Sequence, residues 1–173
     1  MCKLRIVIVL LVSVFLLQGC SGFQLSQDAD DLSHLLDDYL KAIENGVPSD
    51  MSLMIYNATY RMSTDIPLDE AGLILMCSNS KDPSIADKVV IDSTQLSSKI
   101  DQLKNINSLS LQKPLISLGK NLRIYYFIET ETDGKVLEVG MYGKDSNMFV
   151  NGVEVEYDPA FFDLVEPYLH AAG

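Results

Sequence analysis

Cysteine and histidine are the residues of this chain that could hold a metal ion, and they are few. The 173 residues include three cysteines and two histidines, His34 and His170. A structural zinc site usually needs four Cys or His ligands, and His170 is among the last four residues, where chains are often poorly ordered. His34 lies beside a stripe of leucines, and we expect it on the surface. The sequence therefore predicts no metal site and no cofactor.

Short motifs that would indicate calcium binding or catalysis are also missing. The aspartates between Asp28 and Asp31 superficially match a calcium loop, but Ser33 and Tyr39 stand where that loop needs glycine and glutamate. A solvated helix start explains these acids better. The chain contains no Gly-x-Ser-x-Gly or His-Glu-x-x-His motif and no glycine-rich phosphate loop. We therefore predict no catalytic residue.

Aromatic and acidic residues on one face of a predicted hairpin form a candidate binding surface. They are Tyr125, Phe127, Glu129, Glu138 and Tyr142. We expect Tyr125 to face Tyr142 and Glu129 to face Glu138, although like charges directly opposite each other cost sheet stability. An aromatic strip that ends in two acids suits a basic or cationic partner. The alternatives are a partly exposed face with solvated acids, and a face that another helix covers.

The register of this hairpin is predicted from its turn. Asp133-Gly134, a strong two-residue turn signal, joins the apolar stretches 122–132 and 135–143. If the residues that flank the turn face each other, Ile128 lies opposite Val139. That register gathers the apolar residues on one face of the hairpin and leaves the candidate binding surface on the other.

The first nineteen residues combine a short basic start with a nearly uninterrupted apolar stretch. Lys3 and Arg5 precede Ile6 to Leu17, which Ser13 alone interrupts. A helix of this stretch would be about 18 Å long, against a hydrocarbon core of ~30 Å. It is therefore too short to span a bilayer comfortably and matches the apolar region of a secretion signal. An uncleaved membrane anchor or a buried core helix is the alternative.

Leu17-Gln18-Gly19-Cys20 resembles the lipobox of bacterial lipoproteins, in which an aliphatic residue, a tolerant position and a small residue precede a cysteine. The resemblance covers residues 1–20, and Gln18 departs mildly from the usual small residue. It implies that the Cys20 thiol receives a diacylglycerol, that cleavage separates Gly19 from Cys20, and that the new amino terminus is acylated. Two or more acyl chains anchor a protein stably. A soluble secreted protein is the alternative.

The predicted lipid places the protein outside the cytoplasm, anchored to the cell membrane. Residues 20–27 form the lipidated tether, of which the seven residues after Cys20 span at most ~25 Å. By the same resemblance, Ser21 would permit sorting to an outer membrane if the organism has one. Anionic lipid headgroups should repel the acidic domain. We therefore expect the lipid, and not the protein surface, to attach the chain to the membrane.

The three cysteines predict a mature domain without an intrachain disulfide. Cys2 leaves with the signal peptide and Cys20 carries the lipid, so Cys77 is alone. Cys77 ends the apolar run 73–77, and no histidine lies near it in the sequence. We predict a buried, unreactive thiol.

Composition predicts one acidic domain. The chain has 13 Lys and Arg against 24 Asp and Glu, a net charge of −11; removing residues 1–19 takes two cations and no acid and leaves −13. The 154 remaining residues suffice for one domain, which we place at 28–173. A hydrophobic content of 47% excludes wholesale disorder. The acidic balance argues against nucleic-acid binding, because phosphate backbones require Lys and Arg.

Periodicity and turn residues predict the remaining elements. Helices are predicted at 28–45, at 95–105, and from Asp158-Pro159 to about Glu166. Strands are predicted at 52–60, 73–77, 88–91, and in two hairpins. The second hairpin turns at Asn151-Gly152, with Val150 opposite Val153. Residues 108–118, which Pro114 interrupts, are predicted as an edge strand or a loop.

This order of elements predicts an α+β domain in which helices pack on one face of a mainly antiparallel sheet, preceded by a cleaved signal peptide. The plan is loosely similar to small domains found in lipoproteins of Gram-positive bacteria, and that resemblance implies no chemistry. We expect a lipid-anchored cell-envelope protein with a non-catalytic binding domain. Its expected partners are the membrane, through the lipid on Cys20, and an envelope protein or a cationic ligand.

Two other functions remain open. One is a carboxylate-based hydrolase of envelope polymers, which would need two acids that converge in a pocket. The other is an inhibitor or immunity-type protein, which would present an exposed apolar patch of several hundred Å².

Overall fold

The computed structural model describes residues 32–59, 67–117 and 119–169. Its centre, in this part of the chain, is an antiparallel sheet of six strands. They are β1 (Ser52–Ala58), β2 (Ala86–Ile91), β3 (Ile124–Thr130), β4 (Gly134–Met141), β5 (Met148–Val150) and β6 (Val153–Val155). The spatial order is β2-β1-β3-β4-β5-β6. The prediction of an α+β fold with a mainly antiparallel sheet is confirmed.

Aspartate caps begin three of the helices. The helices are α1 (Asp37–Ile43), α2 (Glu70–Asn79), α3 (Ser93–Ser97), α4 (Ile100–Asn105) and α5 (Pro159–Val165). The side chains of Asp69, Asp92 and Asp158 accept hydrogen bonds from first-turn N–H groups of α2, α3 and α5. Such caps satisfy donors that have no partner within the helix. The predicted start of the last helix at Asp158-Pro159 is confirmed.

The main core lies on the face of the sheet that α1, α3, α4 and α5 cover. Tyr39, Tyr126 and Phe161 are fully buried there among aliphatic side chains. The Tyr39 hydroxyl donates a hydrogen bond of 2.8 Å to the carbonyl of Leu103, and the Tyr126 hydroxyl donates one of 2.8 Å to the carbonyl of Phe161. Both buried hydroxyls are therefore satisfied, and they link the sheet and α1 to the neighbouring helices.

Helix α2 lies on the opposite face of the sheet, where it packs against β1, β2 and β3. The prediction of a strand at 73–77 is wrong. Leu73 and Cys77 are buried, whereas Leu75 between them is 63% exposed. A strand would turn all three side chains to one face, but a helix groups residues four apart. A short apolar run fits a buried strand and a buried helix equally well, so its periodicity could not decide.

Two predicted helices differ from the structure in their bounds. The first begins, within the described residues, as a 3₁₀ segment at Leu32–Leu36 and continues as α1; residues 28–31 lie outside the described residues. The predicted helix 95–105 is two short helices, α3 and α4. Residues 108–117 contain one 3₁₀ turn and otherwise irregular chain, so the loop alternative holds there.

The turn between β3 and β4 is one residue longer than predicted. It consists of residues 131–133, and Thr130 pairs with Gly134, which begins β4. Gly134 has a φ of 72°, in the left-handed region that glycine adopts without strain. A three-residue turn followed by a left-handed glycine is a common hairpin connection, and a bulge accompanies it here.

This longer turn changes the register of the hairpin. The pairing shifts between Ile128 and Glu129, and Ile128 faces Leu137 rather than the predicted Val139. Displacement by two residues leaves each side chain on its predicted face, because side chains alternate with a period of two. The predicted apolar face is therefore correct, although its pairs are not. The second hairpin has the predicted pair of Val150 with Val153.

Candidate functional site

Two residues of the candidate surface, Tyr125 and Phe127, lie on the α2 side of the sheet and are buried. They are 2% and 6% exposed, and their ring centroids are 5.9 Å apart. Tyr56 of β1 pairs with Tyr125 in the sheet, with a distance of 6.2 Å between ring centroids. We call Tyr56, Tyr125 and Phe127 the aromatic cluster. The sequence analysis missed Tyr56, because the pairing of β1 with β3 is long-range.

Lys135 covers the aromatic cluster. Its ammonium group lies 4.4 Å from the ring centroid of Phe127 and donates a hydrogen bond of 3.1 Å to the hydroxyl of Tyr125. The same group forms an ion pair of 2.5 Å with the Glu138 carboxylate. The contacts predicted for an external cation, with an aromatic face and an acid, are thus made by the chain itself.

The pKa values agree with this arrangement. Partial burial alone would lower the pKa of Lys135, but its hydrogen bonds with Glu138 and Tyr125 outweigh burial and raise the pKa overall. Burial raises the pKa of Tyr125, and the hydrogen bond from Lys135 opposes that rise. At neutral pH the pair is therefore an ammonium group and a neutral phenol.

Two further lysines lie over aromatic rings on the same face. The Lys88 ammonium is 5.6 Å from the ring centroid of Tyr56. The Lys120 ammonium is 5.2 Å from the centroid of Phe149 and 2.5 Å from the Glu70 carboxylate. Each such contact contributes about 0.5–1 kcal/mol at a solvated site. This face of the sheet is therefore closed by lysines of the chain as well as by α2.

The two acids of the candidate surface do not form the predicted pair. Glu129 faces Lys135, and Glu138 faces Phe127, so the predicted juxtaposition of Glu129 with Glu138 is wrong. The bulge near the turn is the reason, because it places Lys135 opposite Glu129, where Glu138 was expected. No like-charge penalty arises between these two glutamates across the hairpin.

Tyr142 does not pair with Tyr125, and that predicted contact is also wrong. Tyr125 faces Gly140, and Tyr142 follows the last residue of β4. A side chain at Gly140 would have its Cβ 2.9 Å from Leu122, which fills the space above this position. Tyr142 is 46% exposed, and the guanidinium carbon of the buried Arg123 lies 5.8 Å from its ring centroid.

A polar cleft of about 450 Å³ lies between α1 and the turn that joins β3 to β4. Its charged lining consists of Asp38, Lys41, Asp50, Asp133 and Lys135. Two of the carboxylates have local hydrogen-bonding roles: Asp50 accepts a bond of 3.1 Å from the backbone N–H of Glu131, and Asp133 accepts one of 3.4 Å from the Thr130 hydroxyl. The cleft could hold a small polar ligand that carries ammonium or hydroxyl groups.

Cys77 is buried, as predicted, and its thiol is unreactive at neutral pH. Only 7% of its surface is exposed, and its sulfur lies 3.6 Å from the carbonyl oxygen of Asn57. Burial raises the pKa of the thiol to about 11. Because the thiolate is the nucleophilic form, Cys77 is suited to packing and not to catalysis.

The lipid-attachment residue Cys20 and the cleavage position Gly19 lie outside the described residues, so lipidation stays a prediction. Within the described ranges, no helix is both long and apolar enough to cross a bilayer. In the same ranges, no group of three or more His, Cys, Asp or Glu residues is arranged to hold a metal ion. No protein-family model matches the chain, and no curated protein or solved structure matches it.

Proposed function

We propose that this chain is a lipid-anchored protein of the bacterial cell envelope whose globular domain binds a cationic partner and does not catalyse a reaction. The observation that carries the proposal is the lipobox-like sequence Leu17-Gln18-Gly19-Cys20 directly after an apolar stretch of secretion-signal length. The acidic composition supports the choice of partner, since removal of residues 1–19 leaves 24 acids against 11 cations.

The arrangement around Lys135 shows which groups of this chain hold an ammonium group. Aromatic rings and a carboxylate hold the Lys135 ammonium at 4.4 Å and 2.5 Å respectively. These are the groups that would hold an external ammonium or guanidinium. With Lys135 in place, an external cation would have to displace it there or bind elsewhere.

Mass spectrometry of the full chain expressed in a lipoprotein-processing bacterium tests the anchor. We expect a product that begins at residue 20 and carries added acyl mass, because the lipobox directs both steps. The variant Cys20→Ser should remain unlipidated and leave the membrane fraction. The matched control Cys77→Ser should still be lipidated. A wild-type product that begins elsewhere, or that begins at residue 20 without acyl mass, would contradict the proposal.

A hydrolase of envelope polymers is a second candidate, and the carboxylates of Asp38, Asp50 and Asp133 around the polar cleft favour it. Incubation of the full chain with purified cell-wall polymer separates the two functions. Soluble fragments released by the wild type, and not by Asp50→Asn or Asp133→Asn, would replace the binding proposal with an enzymatic one.

An inhibitor or immunity-type protein is a third candidate. The observation in its favour is the exposure of three aliphatic side chains between α4 and β3: Leu109 at 92%, Leu115 at 96% and Ile116 at 71%. A stoichiometric complex with one envelope enzyme, together with loss of that enzyme's activity, would identify this function.

A further inference from the structure

Asp145 and Glu156 differ from the acids of the aromatic face, because neither carboxylate has a hydrogen bond or an ion pair among the described residues. Both line an open cleft of about 480 Å³ together with Pro114, Leu115, Ile116 and Tyr157. We call it the Tyr157 cleft. One wall is aliphatic, with Leu115 and Ile116, and the other is acidic, with Asp145 and Glu156. A cation with an apolar stem could contact the first wall with its stem and the second with its charge.

The aliphatic wall is held away from the core by hydrogen bonds. The side-chain amide of Asn147 donates a bond of 2.9 Å to the carbonyl of Ile116. Ser117 donates to the carboxylate of Glu154, and the N–H of Glu156 donates a bond of 2.8 Å to the carbonyl of Gln112. Isolated exposed leucines are ordinary on protein surfaces. Leu115 and Ile116 are adjacent and lie beside unpaired acids, so together they form a surface that is both apolar and acidic.

The acidic wall has an excess of negative charge. Burial, and after it the charges of Asp145, Asp158, Asp163 and Glu166, raise the pKa of Tyr157 to about 12. Of the nearby acids, Asp145 and Glu156 line the cleft itself. The nearby cations are Lys113, next to Pro114 in the chain, and Lys144, which lies 3.6 Å from Glu166.

Tyr157 adds a polar group that lacks a partner. Its hydroxyl oxygen is buried and has no hydrogen-bond partner among the described residues. A buried hydroxyl without a partner loses the hydrogen bonds that it would make with water. The ring of Tyr157 lines the cleft, and its buried hydroxyl keeps an acceptor without a partner beside the acids.

We propose that the Tyr157 cleft binds a lysine or arginine side chain from an extended basic segment of another envelope protein. The aliphatic stem of that side chain packs against Leu115 and Ile116, and its charged end pairs with Asp145 and Glu156. The inference rests on the proposed function and adds to it the position of the binding site and the class of partner. Charge favours this occupant over an anionic lipid surface, which the unpaired carboxylates of Asp145 and Glu156 would repel.

Peptide binding to the full chain in detergent micelles tests the inference. The probe is a fluorescein-labelled peptide of alternating lysine and leucine; peptides of lysine with serine, and of glutamate with leucine, are controls. Fluorescence anisotropy at 0.15 M salt measures affinity under conditions that screen long-range attraction. We expect the lysine–leucine peptide to bind most tightly. Equal binding of the lysine–serine peptide would overturn the role of the aliphatic wall.

Paired variants locate the site. One double variant, Asp145→Asn with Glu156→Gln, removes the two charges, and a second, Leu115→Ser with Ile116→Ser, removes the apolar wall. Each should raise the dissociation constant of the peptide about tenfold or more, the size of effect that loss of a charge pair or of a buried apolar contact has at an interface. The matched controls Asp101→Asn and Leu75→Ser change an exposed acid and an exposed leucine elsewhere. They should change affinity less than about twofold. Equal weakening by the controls, or none by the cleft variants, would overturn the inference.

Two further measurements separate the possible failures. Methyl NMR of Ile116 should show a shift on addition of the peptide; shifts confined to other regions would place the site elsewhere. Binding to phosphatidylglycerol vesicles that requires Leu115 and Ile116 but not Asp145 would assign the cleft to lipid and overturn the inference. Cys20→Ser should retain peptide binding, so failure of lipidation and failure of the cleft are distinguishable.

Discussion

Lys135 makes, within the chain, the contacts that the sequence suggested for an external cation. Its ammonium lies over Phe127 and between the oxygens of Tyr125 and Glu138. Because both lysine and glutamate are partly exposed, the pair adds little to the free energy of unfolding. Its effect is that Lys135 fills the position over Phe127 that an external cation would otherwise take. At the scale of residues, recognition of a cation therefore depends on which carboxylates remain unpaired.

The buried thiol of Cys77 predicts a loss of stability at alkaline pH. Its pKa is about 11 in the folded protein, against an ordinary value of 9.0. Below pH 9 both states hold the proton. As the pH rises from about 9 to 11, the unfolded chain releases the proton and the folded chain keeps it. The free energy of unfolding should therefore fall over this range, by about 2 kcal/mol for this group.

Urea denaturation under reducing conditions at pH 8.5, 9.5 and 10.5 measures this loss. In Cys77→Ala the free energy of unfolding should fall less steeply with pH than in the wild type, because the titrating thiol is gone. This comparison of slopes does not depend on how stable the variant is at pH 8.5. Tyr157→Phe is the control between pH 8.5 and 9.5, where a phenol with the ordinary pKa of 10.0 in the unfolded chain, and about 12 in the folded one, has released little of its proton. The same slope in Cys77→Ala and wild type would show that the thiol does not contribute.

Helix α2 shows how one element determines what the second face of the sheet can do. It buries Leu73 and Cys77 against β1 and β2 and covers part of the aromatic side of the sheet. Its start is stabilised by Asp69, whose carboxylate accepts a hydrogen bond of 2.8 Å from the N–H of Gly72. Without this helix, the face would expose a broad apolar surface.

Alanine substitution at two leucines distinguishes the helix from the predicted strand. Leu73→Ala should lower the free energy of unfolding by about 2–4 kcal/mol, because Leu73 is fully buried. Leu75→Ala should change it by less than about 0.5 kcal/mol, because Leu75 is 63% exposed. Chemical denaturation gives both values. Similar large losses at the two positions would indicate the strand, in which both side chains share a face.

At the scale of the whole molecule, the two edges of the sheet are protected in different ways. Just beyond β6, the N–H of Glu156 donates to the carbonyl of Gln112, so the chain between α4 and β3 covers that end of the sheet. At the β2 edge, the Asp87 carboxylate accepts a hydrogen bond of 2.8 Å from the N–H of Lys88. Charged side chains on an edge strand discourage pairing with another copy.

Removal of the edge lysine should promote self-association. Lys88→Val would place a second apolar side chain beside the exposed Val90 on one face of the edge strand. We expect concentration-dependent association in light scattering, with the wild type monodisperse under the same conditions. Lys104→Val on α4 removes one positive charge away from the sheet edge and serves as the control. Equal association of the two variants would attribute the effect to net charge and not to the edge.

Much of the fold was predictable because it follows from local chemistry. Asn151 and Gly152 both have positive φ, as the predicted turn requires. Asp158 caps the last helix where an acid precedes a proline. Most strand positions followed from apolar stretches bounded by turn residues, although the strand predicted at 73–77 is part of a helix. The predicted binding surface was less accurate, because Tyr125 and Phe127 were assigned to the correct strand but to partners that the register does not provide.

The sequence by itself predicted the turn at Asn151-Gly152, the cap at Asp158 and most of the strands, since each depends on a few neighbouring residues and their backbone preferences; the lipid anchor stays a prediction. Only the tertiary structure decided three other features: the helical state of 73–77, the bulge that brings Lys135 over Phe127, and the position of Leu115 beside Asp145. Each of these depends on contacts between segments distant in sequence or on one added residue in a turn. In these three places the local sequence favours the alternative backbone conformations almost equally, and the packing of the whole domain selects one of them.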